Sequence, residues 1–162
     1  MTTRDTALGA DGLARLQGRL HALVGQPWSI AYLSYGREVR VGLGALARGR
    51  RGFMNGEWTL GTRGSPWLLE VAGKPVATEA DDERTWVASL EALKGRVVKH
   101  ADVTMPGPDL SVELEGGHRF AILASKQSEW VAWELFCPDG STITANCDGS
   151  WVVGRRGEVD EE

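Results

Sequence analysis

The chain has 162 residues, 42% hydrophobic and 25% charged, proportions that suit one globular domain and exclude a disordered chain. A formal charge of −4 argues against a nucleic-acid partner, and no run approaches the roughly 18 apolar residues of a membrane span. Residues 1–10 are polar and lack the apolar segment of a signal peptide, so a cytoplasmic protein is expected.

Leu13, Leu16, Leu20, Leu23 and Val24 recur at helical spacing and predict an amphipathic helix that stops at Gly25, where a left-handed C-cap is wanted. Residues 28–32 read as a strand and Ser34-Tyr35-Gly36 as a turn. Val39, Val41 and Leu43 then alternate as the buried face of a second strand, with Arg40 outward. Gly42-Leu43-Gly44-Ala45-Leu46-Ala47 matches a relaxed dinucleotide fingerprint. It lacks the helix and parallel strand that such a site requires, so no cofactor is expected there. Arg48, Arg50 and Arg51 sit among glycines and read as a solvated loop. Glu57-Trp58, Trp67-Leu68-Leu69, a turn at Gly73 and a strand over 75–78 complete this part.

The same order then returns. Leu20-His21-Ala22-Leu23-Val24-Gly25 recurs as Leu90-Glu91-Ala92-Leu93-Lys94-Gly95, again closing a helix, whose apolar face is Trp86, Leu90 and Leu93. A strand over 97–103, the turn Pro106-Gly107-Pro108-Asp109 and the alternating Leu110, Val112 and Leu114 repeat the hairpin, with Ser111, Glu113 and Glu115 outward. Glu129-Trp130, Trp133-Glu134-Leu135, the turn Pro138-Asp139-Gly140 and a strand over 142–145 repeat the remainder. Between the copies the middle differs: residues 45–56 stand where the second has Arg119, Phe120, Ala121 and Ile122.

About 70 residues with one helix and four or five strands bury too little apolar surface to be robust alone. The expectation is a single α+β, mostly β domain over 1–162. Its repeat halves, about 11–80 and 81–151, pair about a pseudo-twofold axis, and an acidic tail follows over 152–162. The tryptophans inside the repeats are expected in the core and at the seam between halves, with Trp151 closing the second repeat. Cys137 and Cys147 fall at opposite ends of a hairpin, about 20 Å apart at ~3.3 Å per residue, and are expected to be free thiols.

Leu23-Val24-Gly25, Gly56-Glu57-Trp58, Pro66-Trp67-Leu68-Leu69 and Asp81-Asp82 form one distinctive run. Leu93-Lys94-Gly95, Asp109-Leu110-Ser111-Val112 and residues 129–136 form another. Across roughly residues 20–150 the chain resembles a widespread group of small bacterial proteins of unknown function, common in actinobacteria and bacilli. That resemblance implies a fold and carries no catalytic residue. Two positions depart from the pattern: Leu68 replaces a basic residue, and Glu79-Ala80 replaces Gly-Ser before the Asp pair.

Chemistry is sparse in the sequence. No phosphate-binding loop, nucleophile elbow or HExxH is present, and no Cys or His pair has ligand spacing, so neither a catalytic nor a metal site is assigned. His100 and Asp102 share a strand face, where a surface ion pair is the simpler reading than a general base held by an acid. What remains is a surface built on Glu57, Trp58, Glu129, Trp130 and Trp133. If each Trp of a Glu-Trp pair faces the core, its Glu faces out, toward a cross-strand cation or a groove between the halves. Trp130 and Trp133 point to opposite faces of one strand, and an exposed indole is typical of a protein interface. The expected function is a non-enzymatic module of a bacterial cytosol that binds another protein, such as a toxin-immunity or accessory protein. The alternative is a small-molecule-binding or hydrolytic domain that uses the groove between the halves.

Overall fold

The computed structural model describes residues 3–6, 10–34, 38–48, 54–105, 107–124 and 131–155. In chain order these form β1 (Thr3–Thr6), α1 (Ala10–Leu20) with a 3-10 turn (His21–Leu23), β2 (Trp28–Leu33), β3 (Val39–Arg48), β4 (Met54–Gly61), β5 (Trp67–Val71) and β6 (Lys74–Thr78). Then come α2 (Glu83–Glu91), β7 (Val98–Thr104), β8 (Asp109–Leu114), β9 (His118–Ile122), β10 (Val131–Phe136), β11 (Ser141–Asn146) and β12 (Ser150–Arg155). The fold is α+β and mostly β, as the alternating patterns predict.

Local chemistry explains the boundaries. The Asp82 side chain caps α2 by accepting the Thr85 N–H at 3.0 Å. Gly25 and Gly95, after the two helical segments, both take φ near +90°, a conformation nearly free of cost only for glycine. The turn at Pro138-Asp139-Gly140 is closed by Asp139, which accepts both the N–H (2.9 Å) and the hydroxyl (2.6 Å) of Ser141. Two elements differ from expectation. Residues 152–155 continue β12 instead of opening the acidic tail, and Thr3–Thr6 in the polar N-terminus pairs with that strand as β1. A β-branched pair so short carries no period-two signal; only the open edge of β12 makes it a strand.

The strands form two antiparallel sheets. Seven strands run in the order β1-β12-β11-β10-β4-β3-β2, and five in the order β6-β5-β9-β8-β7. In each sheet, three consecutive strands of one repeat are completed by a hairpin from the other: β2–β4 by β10–β11, and β7–β9 by β5–β6. The helices cross over as well, α1 lying against β7 and α2 against β2. Between the inner faces lies one core. Trp28 meets Phe120 edge-on at 5.6 Å, and Phe120 leads on to Trp67 and Trp86. Trp28, Trp67, Trp86, Trp133 and Trp151 are all buried. Cys137 and Cys147 are free and lie at opposite ends of the β10–β11 hairpin, as expected.

Where the two helix ends meet, the hydrogen bonds come in reciprocal pairs. Gly25 N–H donates to Val98 O and Gly95 N–H to Trp28 O, both at 2.8 Å. Trp28 N–H donates to Arg96 O (2.8 Å) and Val98 N–H to Gln26 O (2.9 Å), around a bridge between Pro27 and Val97. Gly44 N–H to Pro27 O (2.9 Å) has its counterpart in Glu115 N–H to Val97 O (3.0 Å). Val97 has an N–H that Pro27 lacks, and the Glu115 carboxylate accepts it at 3.0 Å. A bulge follows Trp28 in β2 and Val98 in β7 alike.

Candidate functional site

Each sheet contains one junction where strands of different repeats pair, and the outer faces of these junctions collect the polar chemistry. In the five-stranded sheet the junction is β5–β9, with Glu70 opposite Arg119. Strand alternation sends both side chains outward while Leu69 and Phe120 fill the core. Arg119 Nη1 lies 2.6 Å from Glu70 Oε1 and Nε donates to Ser111 Oγ at 2.7 Å, so the guanidinium is fixed from two neighbouring strands. The row continues outward through Glu113, which pairs with both Arg119 and His100. Shallow depressions flank the row. One of about 410 Å³ is lined by Glu70, Lys99, Glu113, His118 and Arg119 beside two glycine-containing turns. Another of about 280 Å³ is lined by Asp102, Asp109, Ser111, Glu113 and Arg119.

The corresponding junction of the seven-stranded sheet, β4–β10, is built differently. Glu134 on β10 stands opposite Gly61 on β4, which also faces Arg40 on β3. Arg63 Nη1 approaches Glu134 Oε1 at 3.3 Å and Arg40 Nη2 at 3.8 Å. Glu38, only 6% exposed, binds Arg40 Nε at 3.3 Å and accepts the Arg63 N–H at 3.2 Å. Gly61 makes room for this: a Cβ there would lie 2.6 Å from Glu38 Oε2. Burial pushes the Glu134 carboxyl above the ordinary range, and the negative charge of Glu38 adds to the rise, against Arg63 and Arg40. Arg40 also lies over the Phe136 ring, 5.2 Å from its centroid.

The residues singled out by sequence do not gather. Glu57 is exposed on β4, its carboxylate accepting the Ala45 N–H at 2.8 Å, while Trp58 turns the other way and is half-buried against the core. Trp133 is fully buried and donates its indole N–H to Pro108 O at 2.7 Å. Glu129 and Trp130 lie outside the described residues. Strand order matches β4 with β9 and β5 with β10. Trp67 begins the strand that pairs with β9, and Trp133 lies on the strand that pairs with β4, whereas Glu57-Trp58 lies on β4 itself. Residues 42–47 lie within β3, and the next element among the described residues is the antiparallel strand β4. His100 and Asp102 stand on β7 opposite Glu113 and Ser111. Burial and the Asp148 carboxylate push the Cys147 thiol up, away from a reactive thiolate.

Glu38, Arg40, Arg63, Glu70, Arg119 and Glu134 were not marked as a site in the sequence. Partners 49 and 71 residues apart leave no local spacing, and only the outward phase of each strand hinted at them. Among the described residues no group of three or more His, Cys, Asp or Glu is placed to hold a metal ion, and no helix is long and apolar enough to cross a membrane. Comparison with protein-family models, curated proteins and solved structures finds no match.

Proposed function

We propose that this chain is a protein-binding module of a bacterial cytosol, of the immunity or accessory kind, which engages its partner through the outer face of the five-stranded sheet. The observation that carries the reading is Arg119. It is 38% exposed by side chain, central on an open sheet face, and already held by Glu70 and Ser111. A guanidinium fixed before binding loses little rotamer freedom on association, and arginine is among the residues that most often dominate interface energy. The alternating charges of Glu113, Arg119 and Glu70 supply register, since a displaced partner would set like charges together.

The same reading takes the halves to be related by a pseudo-twofold axis near the Pro27–Val97 bridge, with the two sheets diverged in outer-face chemistry. The reciprocal hydrogen bonds and matched bulges support it. Affinity capture from the native host is the test, comparing the natural protein with Arg119→Glu and, on the other sheet, Arg155→Glu. The partner is expected to be lost only with Arg119→Glu, while all three remain folded with cooperative melts and Arg119→Glu melts somewhat lower because its carboxylate stands beside Glu70. Equal retention by all three would remove this face as the binding surface.

A second reading rests on the depression of about 410 Å³, whose lining comes from both repeats: Glu70, Ala72 and Gly73 from the first, Lys99, residues 113–114 and residues 116–119 from the second. Its size suits a small polar molecule. A ligand screen read by thermal shift favours this reading if a hit is abolished by Lys99→Ala.

A further inference from the structure

We infer that this chain exchanges halves with a second copy of itself, forming a dimer in which each fold is completed by the other molecule. Within the first repeat, β4 pairs only with β3 and β10, and β5 only with β6 and β9, so β2–β4 and β5–β6 share no strand pairing. Within the second, β9 pairs with β8 and β5, and β10 with β11 and β4, so the same break recurs. Neither repeat makes a continuous sheet by itself. Each supplies three strands to one sheet and a hairpin to the other, with β1 and β12 added at the edge of the seven-stranded sheet, and sends its helix to the opposite repeat. A second copy offers the same complementary surface as the chain's own other half.

The covalent link between the repeats is short. Residues 79–82 connect β6 to α2 in a tight turn, where Asp81 N–H donates to Thr78 O (3.1 Å) and Asp81 Oδ2 accepts the Thr78 N–H (2.9 Å). If this turn opens into an extended segment, the first repeat of one copy meets the second repeat of another, and the β4–β10, β5–β9 and β1–β12 pairs, the Pro27–Val97 bridge and the Glu70–Arg119 ion pair are re-formed between molecules. The exchange loses a few local turn bonds and the advantage of intramolecular closure, and concentration offsets the latter. A dimer of this kind has two Arg119 faces, each completed by Glu70 from the other copy. The exchange follows from strand order and stands whether or not Arg119 contacts a partner.

Two experiments on the full chain test it. Refolding from denaturant at rising concentration should convert monomer into a dimer, and deleting Ala80 and Asp81, which shortens the link, should make the dimer predominate. Because the deletion variant can fail to fold, charge exchange supplies the second test. Glu70→Lys and Arg119→Glu each place like charges together in a closed monomer, whereas an exchanged dimer holding one copy of each restores opposite charges in both faces. Native mass spectrometry of the two variants refolded together should show several-fold more mixed dimer than either same-variant dimer. Monomers alone at every concentration, or mixed and same-variant dimers in the statistical ratio, would overturn the inference.

Discussion

The two junctions where the repeats pair share a strand plan and differ in almost every outward side chain. At β5–β9 a single ion pair, Arg119 with Glu70, lies on an open face between shallow depressions. At β4–β10 the position matching Leu68 carries Glu134, that matching Ala121 carries Gly61, and a network of two carboxylates and two arginines is sunk among them. The first-repeat hairpin is also longer. Beyond Leu43 and Thr59 its strands pair only with each other, and Asn55 accepts the Tyr32 hydroxyl at 2.8 Å, holding this arm against the outer side of β2. The inner faces differ less: Trp67 and Trp133 are both buried at the start of these pairings, as are Leu69 and Leu135 two residues on. Close packing holds the inward positions to large apolar residues, and water tolerates nearly anything on the other side of the same strand. One sheet edge differs too. β12 and β1 extend the edge at β11, while the matching edge at β6 ends in exposed Lys74, Pro75 and Val76, residues that discourage further strand addition.

The sharpest way to break the inner-face equivalence is to empty it. Trp133→Ala and Trp67→Ala should each cost about 3–5 kcal/mol in denaturant melts, with Trp133→Ala the costlier because Pro108 O also loses its donor. A loss below about 1 kcal/mol at either site would end the equivalence of the two positions. The outer-face difference is tested next. Arg63→Ala should cost about 1–3 kcal/mol, since it takes the nearer guanidinium from Glu134 and leaves Arg40 at 3.8 Å, while Glu38 keeps the backbone N–H of residue 63. Glu70→Gln, at the exposed junction, should cost under about 1 kcal/mol. Equal losses would mean that burial does not separate the two junctions.

Protonation distinguishes them without removing a side chain from the core. Folding raises the Glu134 pKa, so its favourable contribution is complete below the unfolded-state pKa and is lost as pH rises through the folded-state value. Asp139 has the opposite sign: the Ser141 hydroxyl and N–H lower its pKa, and its contribution is lost as pH falls. Urea midpoints measured from neutral pH down through the carboxylate range should therefore show a component rising toward acid that disappears in Glu134→Gln. An identical pH profile for that variant would contradict the sign. An effect of opposite sign belongs to a turn of the five-stranded sheet. Ala72 takes φ +53°, and Ala72→Gly should raise stability by about 1 kcal/mol, read as an increase in denaturant midpoint.

Periodicity, turn residues and repetition carried the local structure: both helices with their left-handed glycine ends, the β2–β3, β7–β8 and β10–β11 hairpins, the free thiols and the mostly β class. These depend on neighbours a few residues apart, so a single chain displays them in order. It could not display which repeat completes which sheet. Each hairpin's pattern is satisfied by any apolar surface, and only the joint packing of both repeats sends β5–β6 to β9 and β10–β11 to β4. The sequence also could not show that Glu57 would sit on a strand whose neighbours are β3 and β10. Arg119, Glu70, Glu38 and Glu134 were likewise ordinary outward residues in sequence. Tertiary pairing alone set charges from distant segments within hydrogen-bond reach, because an ion pair across a sheet depends on register between strands and leaves no period along the chain.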